Sequence, residues 1–271
     1  MEQYFNIRYE FDKAEVHNSI AQHVKEGKPG YICVADGVVL NVAQRDKAYM
    51  KVLQESMFAI CDSSWVPMYV KWIYGRQRAQ YCGAMIFEDI VRQKKYRMAF
   101  LGTNTKTLEA LRNNIAEQWN GDVKDMLFYE LPYCHVDEFD YPAIAKMLQE
   151  DGAEIVWVAL GAPKQEVFMN RLNQHMKSGV QIAVGAVFNF FSGFDEKRAP
   201  HWITKHHMEF LYRIWQNPKK QLKRCGWILI MLPKMFFEEL RRKRGRLTIN
   251  DNVDDNVDDN DDSFSFMSGG E

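Results

Sequence analysis

Four short stretches hold residues able to do chemistry. In "FAICDSSWVP", Asp62 closes an apolar run and opens a polar turn. A carboxylate at the mouth of a strand is placed to act as a general base. Asp62, Ser63 or Ser64 equally suits the N-cap of a helix over "VPMYVKWIYG", and Asp62 can serve both ends. In "FLGTNTKT", Gly102 turns the chain and Thr103 opens a helix whose unpaired N–H groups suit a phosphate. Neither a G-x-G-x-x-G nor a Walker loop is present, and an ordinary strand-to-helix turn fits as well. "GAPKQE" directly follows the run "IVWVAL". Gly161 permits the turn, Pro163 suits the first helical position, and Lys164 and Gln165 fall in the first turn. A cation there opposes the helix dipole, so the turn suits a bound phosphate or sugar. Gln165 can hydrogen-bond through both ends of its amide. In "SGFDEKRAPHW", Ser192 and Gly193 mark a loop, and Lys197 and Arg198 supply charge. Arg198 can pair bidentately with a diphosphate; a plain solvated basic loop is the alternative.

The elements that must hold these stretches alternate. Strands are expected over 31–36, 58–62, 96–102, 125–132, 154–161 and 181–190. Helices are expected over 44–56, 103–119 (with Thr103 as N-cap), 141–151 and 163–176. Strands apolar on both faces that alternate with helices imply an α/β fold, a Rossmann-like parallel, doubly wound sheet flanked by helices. Ligands of such sheets collect at the carboxyl ends of the strands, where all four stretches fall. Strand order is not readable.

The chain has 271 residues, enough for one α/β domain with an appendage. The expected division is a body over 1–200, a basic and apolar helical appendage over 201–248, and a disordered acidic tail over 249–271. Between Lys197 and Arg246, 14 Lys and Arg stand against three Asp and Glu. From Asp251 to Glu271 there are seven Asp, one Glu and no basic residue, so the basic stretch needs an anionic partner or a mask. Its aliphatic and aromatic residues, among them Trp202, Trp215, Trp227, Ile230, Phe236 and Phe237, fit an interfacial anchor on an anionic membrane surface. Nucleic-acid binding is the rival reading; no DNA- or RNA-binding motif supports it, and no nucleic-acid partner is expected. No stretch of 18 apolar residues occurs, and "MEQYFNIRYEF" lacks the order of a signal peptide. Five scattered cysteines without a CxxC suit reduced thiols in the cytosol. The seven His do not fall at metal-ligand spacing, the acidic tail lacks the Gly and closing Glu of a calcium loop, and no GxSxG elbow appears. No metal and no cofactor are expected.

Taken in order, "CDSSW", "WVALGAPKQEVFMNRL", "VGAVFNFFSGFDEKRAPHW" and "MEFLYRIWQNPKKQLKRC" resemble the WecG/TagA/CpsF family of bacterial glycosyltransferases, over roughly residues 30 to 225. The resemblance implies an inverting, metal-independent transfer of a hexosamine-type sugar from a UDP-sugar donor. Its acceptor is a polyprenyl-diphosphate-linked sugar at the cytoplasmic face of the membrane, for a teichoic acid, capsule, exopolysaccharide or surface antigen. It also implies a C-terminal appendage that contacts membrane and helps close the site. Asp62 matches the family's general base, Gln165 a donor-sugar or acceptor contact, and Gly102 and Thr103 the turn near the nucleotide. Arg198 matches the Arg of K-R-A-P and Arg213 the Arg of L-Y-R. Two departures stand out. Ser63 and Ser64 follow Asp62 where the family has Gly, and the family's T-x-N segment falls on Val34 and Asp36. Asp36 either replaces that Asn or adds a second carboxylate. A non-catalytic subunit that binds nucleotide sugar beside a partner transferase is the reading from another class. A homo-oligomer stays open.

Overall fold

The computed structural model describes residues 1–119, 123–193 and 230–245. Eight strands form one sheet in the order β1-β2-β4-β3-β8-β7-β5-β6. They are β1 (Glu2–Tyr4), β2 (Ile7–Tyr9), β3 (Pro29–Ala35), β4 (Phe58–Cys61), β5 (Met98–Gly102), β6 (Leu127–Tyr129), β7 (Ile155–Ala159) and β8 (Gly179–Ala183). β1 and β2 pair antiparallel, and every other pairing is parallel. β3, β4, β5, β7 and β8 are buried along their length, with only Pro29 of β3 half-buried, because both faces are covered. Alternate residues of β3 separate the two cores. Tyr31, Cys33 and Ala35 face one of them, Ile32 and Val34 the other.

The first core is closed by α2 (Gly37–Ala43), α3 (Lys47–Glu55), α4 (Trp65–Tyr74), α7 (Tyr141–Asp151) and α8 (Lys164–Asn173). The second is closed by α1 (Lys13–Glu26), α5 (Gly83–Gln93), α6 (Thr105–Trp119) and α9 (Val187–Ser192). The expected α/β architecture with a mainly parallel sheet is therefore present. The expected strand over 181–190 is too long. β8 stops at Ala183, Gly185 turns at φ +53°, and Val187–Ser192 is helical. An unbroken apolar run is shared here between a strand and a helix that bury on the same side of the sheet.

The hairpin β1–β2 was not expected. Its turn residues, Phe5 and Asn6, both have positive φ (53° and 64°), the geometry that usually selects Asn-Gly. Tertiary contacts hold it instead. Phe5 is 1% exposed and packs edge-on against Trp65. Its N–H donates to the Glu239 carboxylate at 3.0 Å. Glu239 lies on a C-terminal helix, α10 (residues 230–245), and is fully buried. It also accepts from the Tyr74 hydroxyl (2.7 Å) and the Arg242 guanidinium (3.1 Å), so the buried charge is satisfied from three directions. Met231 and Met235 of α10 are buried in the first core. Phe236 meets Tyr69 of α4 edge-on at 5.3 Å, so this residue, expected in the anchor, packs against the body. Among the described residues no helix is long and apolar enough to cross a membrane.

Candidate active site at the carboxyl edge

Asp36 and Asp62 follow directly on β3 and β4, which are neighbours with Ala35 opposite Cys61. The Asp62 N–H donates to the Ala35 carbonyl at 3.2 Å, which brings the two acidic residues side by side. Asp36 caps α2, its Oδ1 accepting from the N–H groups of Val38 (2.8 Å) and Val39 (2.9 Å). Asp62 does not cap α4. Ser64 is the N-cap residue of that helix, with no side-chain cap bond, and the Asp62 Oδ1 accepts from the Gly83 N–H (3.2 Å) at the start of α5. Of the three expected candidates Ser64 therefore takes the N-cap position, while the Asp62 carboxylate meets a second helix start 21 residues further on. Val34 is a core residue: a Cβ on Gly83 would lie 3.4 Å from its Cγ1. Behind the site, burial pushes the Cys61 thiol up to about 12. Among the described residues Cys33, Cys61, Cys82 and Cys134 form no disulfide, and Cys225 lies outside the described residues.

Further along the edge, β5 leads through α6 outward to β6, while β7 leads through α8 back to β8. The loops after β5 and β7 therefore diverge and open a crevice between them, the usual ligand position in an open α/β sheet. Gly102 and Thr103 belong to the turn after β5, and Gly161 to Gln165 to the turn after β7. From β4 to β5 is four inter-strand steps of about 4.8 Å, so the edge from Asp62 to Gly102 runs roughly 19 Å. Thr103 is not the N-cap of α6. It sits at φ +52°, and Asn104 caps the helix, its Oδ1 accepting from the Thr107 N–H at 2.9 Å. Glu130, just after β6, accepts from the Thr105 N–H at 2.7 Å and from its hydroxyl; the hydroxyl bond leads in holding this carboxyl below the usual range. Part of the N–H array expected for a phosphate thus already holds a carboxylate of the chain.

The "GAPKQE" turn is likewise tied inward. Pro163 is the N-cap residue of α8, one place before the helical position expected for it. Gly161, at φ +76°, donates its N–H to the Gln165 Oε1 (3.1 Å) and accepts the Gln165 N–H (3.0 Å). The Gln165 Nε2 donates to Glu166 (2.9 Å). Lys164 donates to the Cys134 carbonyl and lies over the Phe139 ring, 4.9 Å from its centre. Arg198 and Arg213 lie outside the described residues, as do Lys197, Trp202, Trp215, Trp227 and the acidic tail.

Four residues of this region were not singled out from the sequence: Gly83, Tyr49, Glu130 and Glu166. Glu166 closes the quoted "GAPKQE" string and Gly83 starts an amphipathic stretch after "YC", whereas Tyr49 and Glu130 carried no local signal. Among the described residues no three His, Cys, Asp or Glu come together as a metal-binding group.

The model of the "Glycosyl transferase WecG/TagA/CpsF family" matches residues 3–248, beyond both ends of the motif-bearing part and across the hairpin and α10. One relative, the N-acetylglucosaminyldiphosphoundecaprenol N-acetyl-beta-D-mannosaminyltransferase of Bacillus subtilis (strain 168), is 26% identical over 209 residues, 76% of this chain and 77% of its own. The protein of the same name from Bacillus spizizenii is 26% identical over 226 residues, 82% and 83% of the two chains. The chain belongs to the WecG/TagA/CpsF family and is a glycosyltransferase.

Proposed function

We propose that the protein transfers an N-acetylmannosamine-type sugar, or a related uronic acid or hexose, from a UDP-sugar to a sugar on a polyprenyl diphosphate, with inversion. The observation that carries this reading is the pair of carboxylates on adjacent strands, one of them at the helix start of Gly83, at one end of an edge that finishes in the β5–β7 crevice. The names of the two Bacillus relatives supply the acceptor class. In the transfer, the acceptor hydroxyl attacks the anomeric carbon while Asp62 takes its proton. The bond from that carbon to the diphosphate oxygen breaks, UDP leaves with its electron pair, and the proton passes from Asp62 to solvent. No covalent enzyme intermediate and no metal enter this scheme. Leaving-group charge falls to helix N-termini, Arg198 and Arg213.

The test is UDP release by the purified full chain, given a short-chain polyprenyl-diphosphate-GlcNAc acceptor and anionic liposomes. UDP-ManNAc, UDP-ManNAcA, UDP-GlcNAc, UDP-Glc and UDP-GlcA are supplied in turn. Acceptor-dependent release from one donor, unchanged by EDTA, is expected. Binding without release from any donor would favour the accessory-subunit reading.

A lipid-borne acceptor calls for a membrane-facing side. α4 and α10 supply candidates through a run of ring contacts: Trp72 to Tyr69 (6.0 Å), Tyr69 to Phe236 (5.3 Å) and Phe236 to Phe237 (5.7 Å). Trp72 and Phe237 are 63% and 60% exposed, and Met68 and Ile230 also show apolar surface, with Lys71, Lys234, Arg241 and Arg244 on the same two helices. Large exposed apolar groups with basic neighbours fit an interface with anionic lipid. Trp72→Ser is expected to weaken co-sedimentation with anionic vesicles about tenfold by removing buried apolar area, without lowering the thermal midpoint. Unchanged co-sedimentation would remove this face from the membrane contact.

A further inference from the structure

The first turn of α8 buries a carboxylate beneath the carboxyl edge. Glu166 is 0% exposed. One of its oxygens accepts from the Tyr49 hydroxyl of α3 at 2.9 Å, and the other accepts from the Gln165 Nε2 at 2.9 Å. The Gln165 amide lies between the ends of two neighbouring strands: its Oε1 takes the Gly161 N–H, and a Cβ on Gly185 would be 3.5 Å from that oxygen. A carboxamide can turn over and exchange its donor and acceptor ends. Here both neighbours select the same orientation, because an N–H requires the oxygen and a carboxylate requires the NH₂ group. One N–H and one lone pair of the amide remain beyond these two bonds.

We propose that Glu166, held by Tyr49, is a positioning residue for the transfer: its carboxylate locks the Gln165 amide in the single orientation that the bound sugar meets. This rests on the transferase reading above. The lock is strongest when Glu166 is ionised, since a charge-assisted bond is about twice as strong as a neutral one. Burial raises the Glu166 carboxyl to about 7, against the hydrogen bonds from Gln165 and Tyr49, and the Asp36 carboxylate adds to the rise. The Tyr49 phenol and Cys33 thiol also lie in its field; burial pushes both up, so they stay neutral. Glu166 thus gains its charge, and the lock its strength, as pH rises through about 7. Stability runs the other way. A carboxyl raised on folding contributes stability below its unfolded value of about 4.5 and loses it as pH rises through about 7. A merely structural Glu166 and a positioning Glu166 therefore give different signatures.

The experiment uses the ¹⁵N-labelled full chain, with the Gln165 side-chain amide pair assigned from its disappearance in Gln165→Asn. In wild type this pair is expected to titrate with a midpoint near 7. Glu166→Gln should abolish the titration, and Tyr49→Phe should move its midpoint up. In the UDP-release assay at pH 8, Glu166→Gln should raise the KM of one substrate about tenfold, the scale of one well-placed hydrogen bond, while kcat changes less. That gap should shrink at pH 6, and the variant's stability relative to wild type should improve between pH 5 and pH 8. An amide pair that does not move in wild type, or an unchanged KM at pH 8, overturns the proposal. Wild type that releases no UDP defeats the transferase reading, while the amide titration still decides whether Glu166 sets Gln165.

Discussion

Asp62→Asn is expected to lower kcat between about 10²- and 10⁴-fold, the usual range for loss of a general base. The variant should fold. An Asn Oδ1 can still accept the Gly83 N–H that Asp62 holds at 3.2 Å, so stability should stay within about 1 kcal/mol of wild type. Asp36→Asn is the paired experiment, because Asn caps a helix about as well as Asp and α2 should keep its start. The two carboxylates stand on adjacent strands, so distance alone does not separate them. Their bonds do differ. Asp36 answers two N–H groups of its own helix on one oxygen, whereas Asp62 is steadied from α5. UDP release from both variants, with the same donor and acceptor, reads the difference. Full activity in Asp62→Asn with collapse in Asp36→Asn would pass the base role to Asp36.

Gly102→Ala is expected to cost about 3 kcal/mol, from a disfavoured backbone conformation added to overpacking between two strands. Gly102 has φ +115°, and a Cβ there would meet the Ala159 carbonyl oxygen at 2.6 Å and its carbon at 2.9 Å. Those are backbone atoms of the paired strand, so no side chain can swing aside. The substitution must part β5 from β7 at the mouth of the crevice. Gly161→Ala supplies the contrast. Its φ is also positive, +76°, but a Cβ would touch nothing within 4 Å, so only about 1 kcal/mol of backbone preference is lost. Urea unfolding of the two variants measures the gap. Equal losses would mean that the close approach of β5 to β7 is not what requires glycine at 102.

The family motifs were legible because they are local strings at strand ends, and the buried strands because both faces need apolar side chains whatever their neighbours are. The sequence by itself therefore determined the α/β alternation, the family, and Asp36, Asp62, Gly102 and Gly161 as residues of one edge. Strand order lay outside its reach, since nothing local tells β8 to insert between β3 and β7. The same holds for the partners of the site residues. Asp62 found an N–H donor 21 residues away in α5, and Glu130 reached back 25 residues to the Thr105 N–H at the start of α6. Glu166 met Tyr49 across 117 residues. Phe5 takes a positive φ against its own preference in the tight turn with Asn6, where Glu239, 234 residues later, takes the Phe5 N–H in buried surroundings. Local pattern selects elements through side-chain burial and backbone preference. Hydrogen bonds between elements, and the charges those bonds can keep away from water, exist only once the sheet has brought distant segments together, and in this protein they set the shape of the site.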